Sequence, residues 1–277
     1  MRFNLASLTL RAKHIRRKSI TLRPIALPST LATDLYQSTY AAVIATWGEA
    51  LPEIMASYER TLAELQTDAP ADTGAQLSAV ERRITAAALT LRLRLERWAR
   101  RLEAAHRAKW RAAVLSGTGV DLDTMIGPND ARLSLEAVIE RNVSLISSVS
   151  DQAKGRISDA VFRGFRERKA ANDVAKELRE AVDMGRTRAR RIAADQTVKL
   201  ARELDQERRR QAGIDTWAWV HSGKAHPREE HLARDGEIYS DDDPPLDMPG
   251  ELPFCGCTSK AVLDIDAMIE KELAAAA

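Results

Sequence analysis

Residues 84–105 read ITAAALTLRLRLERWARRLEAA, and this stretch decides the fold class. Ile84, Ala88, Leu91, Leu95, Trp98, Leu102 and Ala105 recur in alternating steps of four and three. Such steps hold an apolar stripe on one side of an α-helix, because side chains three and four apart stand above one another. Arg92, Glu96, Arg100, Arg101 and Glu103 fall between the stripe positions and are expected on the other, solvated faces. A helix divided in this way buries its stripe against another helix, which predicts a bundle or hairpin. A DNA-binding helix is the weaker reading, since acids are interspersed among the arginines and no aromatic ladder accompanies them.

Helical patterning continues on both sides. Upstream, a helix is expected from Ser29 or Thr30 to about Leu65, kinked or divided by Pro52 near Gly48. Thr67–Gly74 reads as a loop, and Gly117–Asn129 breaks the pattern again. A third long helix carries Leu135, Ile139, Ile146, Val149, Ala153, Ile157, Val161 and Phe165. Asn172 or Asp173 is expected to cap a shorter helix through about Val182, ended by Gly185. A further helix spans Arg186–Ala212. Gly213 stands at its C′ position, and Arg208, Arg209 and Arg210 suit the negative end of its dipole. Asp195 and Gln196 interrupt the stripe through Ile192 and Leu200, so they are expected to satisfy polar partners in the neighbouring module.

After Gly213 the period changes. Trp217-Ala218-Trp219-Val220 predicts a short strand, with one tryptophan in the core and the other facing a partner or the preceding helix. Core packing outweighs base stacking for the pair. Pro227 fits helix position N1, with Glu229 and Glu230 in the first turn and Gly236 after its end. Ile238-Tyr239 and Thr258–Leu263 read as strands around an Asp/Pro loop at 241–245, and a C-terminal helix closes the chain. The fold class is therefore mainly α: long amphipathic helices followed by a small α+β C-terminal knot. The organisation expected is a basic N-terminal arm over 1–28, a helical region over 29–185 and a terminal domain over 186–277.

Charge is unevenly spread. The formal net charge of the 277-residue chain is only +2, yet no acid precedes Asp34, while Arg2, Arg11, Lys13, Arg16, Arg17, Lys18 and Arg23 all do. This arm is expected to be poorly ordered alone and to contact phosphate or an acidic protein partner. Arg186, Arg188, Arg190 and Arg191 form a second basic cluster with the same candidate roles, nucleic-acid or partner contact. No apolar run approaches the ~20 residues that span a bilayer, and no secretory leader is visible, so a soluble protein made in the cytosol is expected. In that compartment a disulfide is not expected, and a C-x-C bridge would be strained.

The two cysteines, Cys255 and Cys257, stand one residue apart, downstream of His226 and His231. Thiolate and imidazole are the ligands zinc prefers. Five residues of helix turn through about 500°, so His226 and His231 cannot share one face. His231 is the better ligand, and the fourth position falls to His226, Asp235 or water; the other reading is a metal-free packed core. An open position also admits a metal-dependent hydrolase using Asp241, Asp242, Asp243 and His231. The zinc-deaminase and zincin signatures are missing, as are phosphate-binding and nucleophile-elbow motifs.

Several motifs recur in a fixed order. Ala194-Asp195-Gln196 runs through Lys199-Leu200, the Arg-rich helix ends at Ala212-Gly213-Ile214, and Trp217-Ala218-Trp219 follows. Arg228, His231, Asp235 and Gly236 then precede Pro249-Gly250-Glu251 and Cys255-Gly256-Cys257. Over roughly residues 150–265 this resembles the phage Mu F-like head morphogenesis domain of minor head proteins. Asp195, Gln196, Arg228 and Gly236 are its motif residues here. Many members carry C-P-x-C where this chain has Arg228 to His231, and C-R-C where it has Gly256; Lys224 stands where others have Asp. The resemblance implies a minor capsid protein of a tailed phage or prophage, present in few copies near the portal. It implies a role in assembly, DNA packaging or ejection, with no enzymatic activity. Its partners would be the portal or major capsid protein and packaged double-stranded DNA, with no membrane and no small-molecule substrate. Its location would be the virion, and the host cytoplasm during assembly. The alternative is a nucleic-acid-binding protein using the basic arm, or a hydrolase using the His/Cys cluster.

Overall fold

In the computed structural model of the chain, residues 3–13, 18–64 and 70–276 are described. The helices are α1 (Leu5–Lys13), α2 (Thr30–Leu35), α3 (Ala41–Glu64), α4 (Pro70–Ala86), α5 (Ala88–Thr118), α6 (Arg132–Glu167), α7 (Ala171–Ala212), α8 (Glu229–Ala233) and α9 (Ile265–Ala276). A π-helical turn, Tyr36–Tyr40, joins α2 to α3, and a 3-10 turn, Pro128–Ala131, leads into α6. The strands are β1 (Ser19–Thr21), β2 (Thr216–Val220), β3 (Ile238–Ser240) and β4 (Thr258–Asp264). They form one antiparallel sheet in the order β1-β4-β2-β3. The mainly helical architecture with a small C-terminal sheet is the one the periodicity predicts.

Two compact units divide the chain, Met1–Leu31, Ala99–Val138 and Asp195–Ala277 in one, Ala32–Trp98 and Ile139–Ala194 in the other. In the second unit, apolar residues of the predicted stripes are buried: Leu91, Leu95 and Trp98 on α5, Ile139, Ile146, Val149, Ile157 and Val161 on α6. Several of its buried polar groups pair across the unit. The Tyr40 hydroxyl donates to Asn142 Oδ1 (2.7 Å) and Trp47 Nε1 donates to Ser150 Oγ (3.1 Å). The Tyr58 hydroxyl donates to the Lys169 carbonyl (2.8 Å), fixing the turn between α6 and α7. That turn passes through Arg168 at φ 50°, where the Lys169 N–H reaches back to the Gly164 carbonyl. A left-handed residue there satisfies the last carbonyls of α6.

The first unit gathers both ends of the chain, and here the arm departs from expectation. Phe3, Leu5 and Ala6 pack in one core with Ile20, Leu22, Trp110, Val114, Ile214, Leu263 and Met268. Asn4 Oδ1 accepts the Ser7 N–H (3.0 Å) as the N-cap of α1, and Ile20 faces Leu263 across the β1–β4 ladder. For the described residues of the arm, 3–13 and 18–28, the expectation of poor order is overturned, because their apolar side chains find a core that the charge pattern conceals. Arg16 and Arg17 lie outside the described residues.

Other expectations are corrected as well. Gly185 does not end a helix: α7 runs unbroken from Ala171 to Ala212. An added Cβ at Gly185 would stand 2.9 Å from Ile44 Cδ1, so this glycine serves close packing against α3. Pro52 lies inside a continuous α3, and the irregularity falls upstream in the π-helical turn. Pro70 opens α4, so residues 70–74 of the expected loop are helical. Pro227 precedes the N-cap, Arg228, instead of opening α8. Glu103 is not on a solvated face. Its Oε1 accepts from Nη2 of the wholly buried Arg208 (2.6 Å), which also donates to Gln211 (2.9 Å). Burial pushes the Glu103 carboxyl up and the Arg208 guanidinium down, so their attraction mainly offsets the cost of leaving water.

Gly213 does end α7 as predicted. It adopts φ 72°, with the Ile214 N–H bonded to the Arg209 carbonyl (2.9 Å) and its own N–H to Arg210 (3.3 Å). These are the paired bonds of a Schellman cap. They turn the chain directly into β2, which carries the tryptophans to the candidate site.

Candidate metal centre

Trp217 and Trp219 are both fully buried, clustered with Cys255 and Cys257 and packed by Tyr239, Met248 and Leu252. Neither faces outward. Residues two apart share one strand face, so the expected split between core and partner does not occur. His231, on the single turn of α8, sets its ring edge-on to Trp219 at 5.0 Å between centroids.

His231 is only 2 % exposed, Cys255 4 % and Cys257 2 %. His231 Nδ1 lies 3.4 Å from Cys255 Sγ and 3.7 Å from Cys257 Sγ, and the three ligand atoms all fall within 4.8 Å of one another. Both cysteines are free thiols. Burial raises the Cys257 thiol above its ordinary range, opposed by the Ser222 backbone N–H.

On its other side, His231 Nε2 stands 2.9 Å from Asp247 Oδ2, a close contact that lacks hydrogen-bond alignment. Asp247 is held in turn by Arg234, whose Nη1 donates to Asp247 Oδ1 (2.7 Å). That bond raises the Arg234 guanidinium above its ordinary value. Arg234 also lies over the Trp219 ring, 5.2 Å from its centroid. A chain of contacts thus runs from Arg234 through Asp247 to His231 and the two sulfurs.

The turn that delivers the cysteines is fastened from three directions. Asp195 Oδ1 accepts the Phe254 N–H (2.7 Å), while Oδ2 meets Gln196 Nε2 (3.1 Å) and Lys199 Nζ (2.9 Å). Lys224 Nζ donates to the Phe254 carbonyl (2.5 Å) and Arg228 Nη2 to the Pro253 carbonyl (3.1 Å). Phe254 adopts φ 60°, uncommon for a side-chain-bearing residue, so the three anchors hold a strained residue next to Cys255. Gly250 has φ 75°, and a Cβ there would stand 3.0 Å from Val198 Cγ1 and 3.2 Å from the Cys257 carbonyl. At Gly256 an added Cβ would come within 2.9 Å of both Lys224 Cε and Ser222 Cβ. Gly236, at φ 86°, lets its N–H reach the Trp219 carbonyl (3.0 Å). Asp195 therefore does satisfy a partner in the neighbouring module, as its interruption of the stripe predicts, while Gln196 bonds to Asp195 itself.

The other candidate residues fall elsewhere. His226 is exposed and stands outside the His231–Cys255–Cys257 group, the one such cluster found among the described residues. Asp235 is exposed and accepts the His221 N–H (2.8 Å). Asp241 receives Trp217 Nε1 (3.1 Å) and Arg209 Nη2 (3.5 Å), so the hydrolase constellation of Asp241, Asp242 and Asp243 with His231 does not assemble. In the basic cluster, Arg188 donates to the carbonyl and hydroxyl of Ser148 (3.1 and 3.2 Å), and Arg190 lies over Tyr36. Arg186 pairs with Asp183 (2.5 Å), and Arg191 is exposed. Arg11 and Lys18 are exposed, and Lys13 ends α1.

Sequence reasoning missed Asp247, Arg234 and the Glu103–Arg208 pair. Asp247 follows a run of loop acids and has no spacing to His231 that marks it. Arg234 sits one helical turn after His231, a signal readable only once α8 is placed.

Comparison with known proteins extends this picture. A protein of Haemophilus influenzae (strain Rd), described as uncharacterized, is 32 % identical over 161 residues, 56 % of this chain and 35 % of its own length. The chain thus spans about a third of the curated relative it matches. No solved structure matches. The family model described as phage Mu protein F like protein matches residues 155–260, a segment from α6 to β4 that contains every motif from Asp195 to Cys257. Residues 155–260 are thus a phage Mu F-like segment, the family that the ordered motifs of the sequence resemble.

Proposed function

We propose that this chain is a minor structural protein of a tailed-phage or prophage head, acting beside the portal in head assembly, DNA packaging or ejection. The observation that carries this reading is the family match over 155–260, whose motif residues serve here to fasten one turn onto α7. The family supports the head-related role; the place beside the portal is our finer reading. The portal or the major capsid protein is the proposed partner. Packaged double-stranded DNA is a second one, reached through exposed cations such as Arg11, Lys18 and Arg191. Among the described residues no helix is long and apolar enough to cross a membrane. Assembly in the host cytoplasm and residence in the virion follow from the role.

The action proposed is binding, not catalysis. Burial of all three members of the His/Cys cluster supports this, since a substrate needs a path to the reacting atoms. The test is a stop codon early in the gene. Electron microscopy of the resulting lysates should show far fewer DNA-filled heads, restored when the chain is supplied in trans. An unchanged yield of filled heads without detectable chain contradicts the role.

A further inference from the structure

We propose that His231, Cys255 and Cys257 hold one zinc ion, and that Asp247, held by Arg234, is a positioning residue that presents His231 Nδ1 to the metal. Two observations carry this beyond the presence of suitable residue types. The first is distance. Zinc–sulfur bonds of about 2.3 Å and zinc–nitrogen bonds of about 2.0 Å at a tetrahedral angle put sulfur and nitrogen roughly 3.5 Å apart. The separations of 3.4 and 3.7 Å bracket that value.

The second observation is the arrangement behind the histidine. A carboxylate beside Nε2 favours the tautomer with its proton on that nitrogen, which leaves the Nδ1 lone pair facing the sulfurs. In a metal-free core that lone pair accepts one S–H at best, and the second thiol is left to bond its neighbouring sulfur. Around a zinc ion both sulfurs and the lone pair become ligands together. A carboxylate behind a ligating imidazole is the usual outer-shell support of a metal site. Here the support is itself fixed by Arg234 at 2.7 Å, so the ring is aimed before any ion arrives.

Three protein ligands leave one of four positions to a non-protein ligand such as water, since no fourth His, Cys, Asp or Glu joins the group among the described residues. With the ligand residues 2–4 % exposed, zinc here ties α8 to the β4 turn and supports the fold. The site is separate from the proposed role in the head: either can fail alone.

The test uses the full chain, purified without a His-tag. Elemental analysis should find about one zinc per chain, and Co2+ substitution should give a thiolate-to-cobalt charge-transfer band. Titration against a chromophoric chelator should show Asp247→Ala weakening zinc affinity roughly 10–100-fold. Asp247→Asn, which keeps an oxygen beside Nε2 without the charge, should recover part of that loss. Wild-type protein that takes up neither Zn2+ nor Co2+ after reduction overturns the site, whatever the variants do. Asp247→Ala that binds zinc as tightly as wild type overturns the positioning role.

Discussion

At position 164 an added methyl group has nowhere to go. A Cβ there would stand 2.8 Å from Val174 Cγ2 and 2.9 Å from the Tyr58 hydroxyl, the group that anchors the turn into α7. Gly155, nine residues earlier on α6, has nothing within 4 Å. Replacing a helix-interior glycine by alanine stabilises by about 0.5–1 kcal/mol when space permits. At Gly155 that gain stands alone, so Gly155→Ala should raise the melting temperature. At Gly164 overpacking costs about 1–3 kcal/mol and outweighs it, so Gly164→Ala should lower the melting temperature. Parallel thermal melts of the two variants check both signs. Neither difference is legible in the sequence, where both are glycines in a helical pattern. Cys255, Cys257 and His231 could be singled out because their chemistry is rare and their spacing short. Asp247 could not, because an acid in an acidic loop looks solvated until the fold brings it to Nε2.

Among the elements, the long helices were readable and the arm was not. The stripe on α5 repeats often enough for its period to show, and Leu95 is indeed 1 % exposed. Leu95→Asp buries an unpaired charge and should destabilise by more than about 3 kcal/mol. The α1 segment offers only Phe3, Leu5, Ala6 and a few more apolar residues, too few to outweigh the basic residues around them. Yet Leu5 is fully buried, so Leu5→Ala should cost about 2–5 kcal/mol, as for a core leucine elsewhere. Urea unfolding followed by circular dichroism measures both; a wild-type midpoint for Leu5→Ala would return the arm to the surface. The continuity of α7 was hidden for a related reason: Gly185 reads locally as a stop, and only the approach of Ile44 explains its use inside a helix.

For the whole molecule, the mainly helical class followed from period and composition, but the assignment of segments to units did not. The first unit joins Met1–Leu31 to Asp195–Ala277, and pairing of β1 with β4 links positions more than two hundred residues apart. No local signal encodes such a pairing. The family resemblance, by contrast, was legible because its residues are the ones local geometry demands: Gly250 for its φ and close approach, Asp195 for the Phe254 N–H, Arg228 for the Pro253 carbonyl. The central claim is that a chain built this way is a component of the phage head. Quantitative mass spectrometry of purified heads tests it most directly. The account predicts this chain in heads at a fixed ratio well below that of the major capsid protein, retained through washing. Heads free of it, from a lysate in which the chain is abundant and soluble, would contradict the account.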